Sequence, residues 1–476
     1  MVFLSRTTLI GGAIVLGCMA LGYALWPRET MTALERQALA EGRTVITYWD
    51  RHSGHEHAAR MALFDEFNRS QHEVYIRGVA IGFNALMEKT LTATAGNSPP
   101  DVQSMDTGFL EQLAPQGIFM PLDDFMEEVP GLHQDRFFPF CWEMVAFGGH
   151  VWGIPTTTDT YCLLWNKAAF RKAGLDPERP PRTIEELNDY AAKLTIRSAD
   201  GMIEQMGFLP WLPWDQSHAW GILFGGHWYD YETGEVNLAN DPGLIAAFRW
   251  QQSFTIDPQA KVQLPYAMDP ERIAAFSKGM GEYFGANNPF YSGKVAMISE
   301  GEWQATFIPK YAPNLEWGVA PLPRPEGAPP VAYSLGCIVD AIPATARHPE
   351  AAKKFLRWFY CPRADGRPSP ACDYAYQIHN IPVRKQDAAD PRFSEDAKFR
   401  VFLDELMNKP AYGPPVMPVT QYMSNQIERM REQLVFRKVT PEEALKEIET
   451  LTRRELARVR GLLARGGAGE EWGLKQ

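Results

Sequence analysis

Fourteen tryptophans and seventeen tyrosines are the residues of this chain with most to offer a ligand. Several of the tryptophans stand in polar, loop-like stretches rather than in apolar runs. A ring in that setting supplies a flat apolar platform, and neighbouring Asp, Glu, Asn, Arg and indole N–H groups supply hydrogen bonds. Together they suit a molecule with apolar faces and a rim of hydroxyls, as a sugar has. Most aromatics are still expected in cores and packing seams. A second cluster, Arg51-His52-Ser53-Gly54-His55-Glu56-His57, holds metal-ligating side chains, with His55 and His57 two apart and Glu56 between them. A closed zinc site takes four ligands and the remaining histidines are dispersed, so a polar loop is the expectation and no metal is assigned. Carboxylates are many, as glycoside hydrolysis requires. A nucleophile elbow, an HExxH pair and a Walker loop are absent from the sequence, so no enzymatic activity and no cofactor are assigned.

The elements that would position these residues follow from length and pattern. At 476 residues the default is two lobes. A net charge of −11 argues against nucleic acid, whose binding needs a basic surface. Arg6 precedes an apolar run from Leu9 to Trp26 that Pro27 and Arg28 end, within the range of a membrane span or a long signal sequence. Lipidation at Cys18, an uncleaved anchor and a cleaved signal all place the folded part outside the cytoplasm, with the membrane reached only through this segment. Cys361 and Cys372 bracket a Pro/Gly-rich loop, and a disulfide closing it fits an oxidising compartment. Cys141, Cys162 and Cys337 lie in apolar surroundings and read as buried thiols.

The folded part opens with a strand, Val45 to Trp49. A helix follows from about His57 to Asn68, then a strand from Val74 to Val79, a helix from Phe83 to Thr94 and a strand from Pro99 to Gln103. This β-α-β-α-β order implies a mostly parallel sheet covered by helices. Ligands of such sheets bind beyond the carboxyl ends of the strands, which directs attention to the loops after Trp49, Val79 and Gln103. Farther on, a strand from Cys162 to Trp165 leads into a helix from Lys167 to Ala173 that Gly174 closes. Thr183 with Glu186 forms a capping box for the next helix, as Thr440 with Glu443 does near the end of the chain.

Several stretches carry a resemblance. Gly153 to Asp159, Leu163-Leu164-Trp165-Asn166-Lys167 and Pro181 to Leu187 form one block. Ala95-Gly96-Asn97-Ser98-Pro99-Pro100-Asp101-Val102, Ser292-Gly293-Lys294-Val295-Ala296-Met297 and Gly301-Glu302-Trp303 follow the same order as in a known family. Over roughly Val45 to Arg460 the chain resembles the extracellular solute-binding proteins of ABC importers, the family that includes maltose-binding protein. The resemblance implies an α/β periplasmic-binding-protein fold: two α/β lobes, a hinge crossed three times and a ligand cleft between them. It places residues 44–156 and 334–372 in one lobe and 157–333 and 373–465 in the other. Residues 1–27 are then the signal, lipobox or anchor, 28–43 a tether and 466–476 a frayed tail. The crossings fall near Pro155–Asp159, Tyr333–Cys337 and Cys372–Ile378.

The implied function is capture of a carbohydrate and its delivery to permease subunits, by a protein expected to be a monomer. A sensory ligand-binding module for a membrane receptor is the alternative, with an enzyme or a metal receptor behind it. Trp303 is the family's platform, Asp106 its cleft acid, Trp214 and Asp215 its second-lobe wall, and Tyr422 a further aromatic. Trp49 joins them as the end of the first strand, and Asp159 as an acceptor at the first crossing. Either aspartate could instead cap a helix. Asn84, after the second strand, and Arg384, in the Ile381–Arg384 turn, complete the set, with a solvated loop residue as the alternative for each.

Overall fold

The computed structural model describes residues 31–465 except Asp215 and 281–285, and without the side chains of 83, 84 and 465. The leader with Cys18 and the tail 466–476 lie outside the described residues. Two sheets organise the rest.

The first has six strands. Thr44–Asp50 pairs in parallel with Val74–Ala80 on one side and with Val102–Asp106 on the other. Cys337–Ala341 and Ile154–Thr158 continue the sheet in antiparallel fashion, and Ile381–Pro382 closes its edge. Ile46, Tyr48 and Asp50 alternate inward at period two. Leu63, Phe64 and Phe67 of helix Gly54–Ser70 cover that face. Helix Pro349–Tyr360 meets them with Phe355, whose ring stands edge-on to Phe64 at 5.1 Å and to Phe67 at 5.3 Å.

The second sheet has Tyr161–Asn166 at its centre, flanked antiparallel by Met297–Gly301 and Trp317–Pro321. All six residues of the central strand are buried, so it reads as a continuous apolar run instead of an alternating one. Helices Thr420–Val435 and Pro441–Arg465 pack together and against Pro242–Gln252 over a separate core that includes Phe248, Met423, Ile427, Leu445 and Ile448.

Local signals act largely as their chemistry dictates. Gly174 takes φ +74° just past helix Lys167–Lys172. Thr440 and Glu443 form both bonds of their box, at 3.2 and 2.8 Å. Thr183 accepts the Glu186 amide at 3.2 Å, but the Glu186 carboxylate turns to the Arg182 amide at 2.8 Å, so that box is half made.

Only Asp159 and Thr160 separate Ile154–Thr158 of the first sheet from Tyr161–Asn166 of the second. Ser334-Leu335-Gly336 make the second passage, from Ala332–Tyr333 into Cys337–Ala341. The third lies beyond the expected Cys372–Ile378. Helix Pro370–Ile378 packs on Gly54–Ser70, Ile381–Pro382 pairs with the first sheet, and only helix Ala397–Asn408 packs on Trp317–Pro321. Residues 373–388, expected with the second lobe, therefore pack with the first. The cause is the buried face of helix Pro370–Ile378, where Tyr374, Ala375 and Ile378 enter the first-lobe core.

The expected disulfide is corrected too: Cys361 and Cys372 are both free. Their loop is fastened by ions instead. Arg363 grips Glu66 with two bonds of 2.8 Å and Asp373 at 2.7 Å, and Cys372 faces Asp390 at 3.7 Å.

Candidate functional site

The end of the first strand rests on a buried charge network. Asp50 accepts the His52 amide at 3.1 Å, meets the His57 ring at 2.9 Å and lies 3.5 Å from the Arg60 guanidinium. Arg60 is wholly buried, 3.5 Å from Asp340 and 4.1 Å from the centre of the Tyr374 ring. Burial pushes the Asp50 carboxyl up, but Arg60 and the bonds from His52 and His57 more than offset this and hold it well below the usual range. The histidine cluster is thereby divided. His52 and His57 brace Asp50, whereas His55 stands edge-on to Phe307 of the second lobe at 5.8 Å.

Above this base Trp49 is half-buried at the strand end, and Asp106 ends the third strand. Asp106 occupies the cap position of helix Thr107–Leu113 without capping it; its carboxylate meets the Arg51 guanidinium at 3.1 Å. The capping alternative therefore fails for Asp106. It fails for Asp159 as well, which accepts the Leu335 amide at 2.7 Å and the Ser334 hydroxyl at 3.2 Å, joining the first crossing to the second. Burial pushes the Asp159 carboxyl up to about 7. The Leu335 and Ser334 bonds and Arg51 oppose that rise, and Asp106 adds to it.

Beside Asp159 four rings gather. Tyr161 lies 5.7 Å from Trp303, 6.4 Å from Trp214 and 5.5 Å from Tyr333, each edge-on, and Trp214 and Trp303 are 6.0 Å apart. The indole of Trp303 folds back over Gly301, where a Cβ would fall 2.1 Å from the ring, so only glycine lets it lie there. Glu300 is buried and bonds Gln304 at 3.3 Å and the Gly301 amide at 3.1 Å. Glu302 accepts the Thr160 amide at 3.1 Å and the Asn380 side chain at 3.1 Å, a second tie across the hinge. Burial pushes both glutamic acids well up. Of this cluster Trp214, Trp303, Asp159 and Asp106 are partly exposed, whereas Tyr161, Tyr333, Glu300 and Glu302 are buried behind them, and the nearby Arg51 is paired with Asp106.

The structure thus brings together Trp214, Trp303, Asp159 and Asp106, with Trp49 on the adjoining strand end. It does not bring in Arg384, which is buried, with its guanidinium bonded to the Tyr360 carbonyl, Ser369 and, at 2.7 Å, Asp387. That residue is a brace for the turn and neither a cleft ligand nor a solvated loop residue. Tyr422 lines a different groove of about 660 Å³, which has Gln112, Gln116, Asn425 and Arg458 in its wall and shares no residue with the ring cluster. Asp215 and the Asn84 side chain lie outside the described residues. Sequence reasoning missed Tyr161, Tyr333, Glu300 and Glu302 as neighbours of the platform. Of these, Glu302 had a signal, since it stands between the two matched positions Gly301 and Trp303.

The family model of the bacterial extracellular solute-binding proteins matches residues 53–365. The sn-glycerol-3-phosphate-binding periplasmic protein UgpB of Pectobacterium atrosepticum is 28% identical over 60% of this chain and 61% of its own length. The chain thus spans about three fifths of that relative. Among solved structures, CpMnBP1 with mannotriose bound is 30% identical with a TM-score of 0.75, over 86% of this chain and all of that one. MalE from Xanthomonas citri, 20% identical with a TM-score of 0.70 over 88% of this chain and 99% of its own, shares the fold. On the matched span and this likeness, the chain belongs to the bacterial extracellular solute-binding proteins.

Proposed function

We propose that this chain is the receptor of an ABC importer, working outside the cytoplasm to capture an uncharged carbohydrate by hinge closure and to deliver it to the permease. One observation carries the choice of ligand: the ring cluster of Tyr161, Trp214, Trp303 and Tyr333 is bordered by Asp159, Glu300 and Glu302. The partly exposed indoles of Trp214 and Trp303 would stack on the apolar faces of a sugar and the partly exposed Asp159 would exchange hydrogen bonds at its hydroxyls, with the buried Tyr161, Tyr333, Glu300 and Glu302 backing them. UgpB is named for a phosphate ester and CpMnBP1 was solved with a neutral oligosaccharide. The acids favour the second kind of ligand. A phosphate placed here would face Asp159 and Asp106, and Arg51 is already engaged by Asp106. Trp49 would meet the ligand from the first lobe, and ligand bound to one lobe would add contacts to the other and shift the open and closed populations. The N-terminal segment, through lipidation at Cys18 or as an uncleaved apolar anchor, would hold the monomeric receptor at the membrane.

The test is calorimetric titration with mannotriose, other neutral oligosaccharides and sn-glycerol 3-phosphate. Binding of a neutral saccharide that is lost in Trp303→Ala supports the reading. Binding of sn-glycerol 3-phosphate alone overturns it.

A further inference from the structure

We propose that Glu302 is the positioning residue of the Trp303 platform: without touching the ligand, it seats the corner that carries this indole on the first lobe, and ligand affinity depends on it. The inference rests on the carbohydrate reading above and adds to it how the platform is held.

The corner is Gly301-Glu302-Trp303, where strand Met297–Gly301 passes into helix Gln304–Tyr311. Glu302 is wholly buried there, and its two carboxyl oxygens reach two other parts of the chain. One accepts the Thr160 amide at 3.1 Å, in the first crossing between the lobes. The other accepts the Asn380 side-chain amide at 3.1 Å, in the segment that packs with the first lobe. One side chain thus joins the second lobe, the crossing and the first lobe at a single point. Glu300, two residues earlier, bonds Gln304 and the Gly301 amide within the second lobe. The helix that starts from the corner adds a further contact to the first lobe, Phe307 edge-on to His55 at 5.8 Å.

The pairing of Gly301 with Tyr161 fixes the corner within the second lobe. It does not set the distance from the Trp303 indole to the first lobe, where Trp49 and Asp106 would meet the same ligand. A site shared by two lobes needs that spacing held to within about 0.5 Å. Removing the carboxyl leaves the buried Thr160 N–H and the Asn380 amide without their acceptor and the corner free to shift. The chemistry also says which substitution is tolerated. A glutamine keeps one oxygen for Thr160 and turns its nitrogen to Asn380, whose Oδ1 is buried with no hydrogen-bond partner among the described residues. A half-turn of the Asn380 amide brings that oxygen round. Burial pushes the Glu302 carboxyl well up, and an O–H there would donate to the same Asn380 oxygen.

Fluorine NMR of the full chain labelled with 5-fluorotryptophan reads the indole without a ligand, the Trp303 line being identified by its loss in Trp303→Phe. That line is expected to shift or broaden in Glu302→Ala and to stay in place in Glu302→Gln. Asn380→Ala should move it too, and serves if Glu302→Ala does not fold. Calorimetric titration of the folded protein with mannotriose should show affinity falling by about 2- to 13-fold in Asn380→Ala, the worth of one hydrogen bond, and by at least as much in Glu302→Ala. Glu302→Gln should bind nearly as the wild type does. In the Glu302→Ala background Asn380→Ala should cost nothing more, since their bond is already gone. A Trp303 line that stays in place in both alanine variants, or equal losses in Glu302→Gln and Glu302→Ala, overturns the inference. A displaced line without binding of any saccharide sinks the carbohydrate reading alone, and saccharide binding at wild-type affinity in both alanine variants sinks the positioning role alone.

Discussion

Replacing Gly301 by alanine should displace the Trp303 indole, the platform proposed for the ligand, without altering that side chain itself. The added Cβ would lie 2.1, 2.3 and 2.5 Å from three atoms of the Trp303 ring, where ordinary contact begins at 3.4 Å, so the indole must retreat by about 1.3 Å. The backbone does not yield in its place, because Gly301 ends a buried strand laddered to Tyr161–Asn166. Forcing a methyl into such a site costs about 1–3 kcal/mol. If that strain falls on the platform in its binding position, saccharide affinity drops by about 5- to 150-fold. Calorimetry on wild type, Gly301→Ala, Trp303→Ala and the double variant measures it. Once the indole is gone the new Cβ has nothing to strike, so the double variant should bind no worse than Trp303→Ala alone. Wild-type affinity in Gly301→Ala, or additive losses in the double variant, would refute the reasoning.

Other predictions concern the frame. Arg60→Met leaves Asp50 and Asp340 buried without their cation and should cost about 3–5 kcal/mol in chemical denaturation; a change below about 1 kcal/mol would show that the network is not coupled. Asp50 is held below its unfolded value, so its contribution is present above the ordinary carboxylate range and is lost as pH falls through and below it. Accordingly Asp50→Asn should narrow the stability gap to wild type as pH drops from 6 toward 3, read by thermal melts. Arg384→Ala should lower the melting temperature while leaving saccharide affinity in the folded fraction unchanged, since its guanidinium holds Tyr360, Ser369 and Asp387 rather than the cleft. Both Cys361 and Cys372 should react with a thiol reagent in the unfolded, unreduced protein, and reductant should leave the melting temperature unchanged.

What could be read from the amino acids alone is what is written within a few residues. The glycine stop at Gly174, the proline and threonine start at Thr440-Pro441, and the alternation along Thr44–Asp50 depend on local backbone preferences and need no partner. The order of strands and helices carried the parallel half of the first sheet, since short connections leave few topologies. The ring cluster was half legible. Trp214 and Trp303 stand in recognisable segments, but Tyr161 lies in a strand that reads as uniformly apolar. Which of its neighbours meets the tryptophans depends on a ladder to residues about 140 positions away.

Charge was the least legible. Arg384 and Arg51 are alike in sequence, yet one is a buried brace and the other an ion-pair partner at the cleft edge. Cys361 and Cys372 flank a loop as bonded cysteines often do, yet Arg363 does the fastening. The chain thus determined its elements and their order through local conformational preference. The tertiary structure alone decided which acids line the hinge and which lose their water, because burial and charge pairing are properties of distant segments brought together.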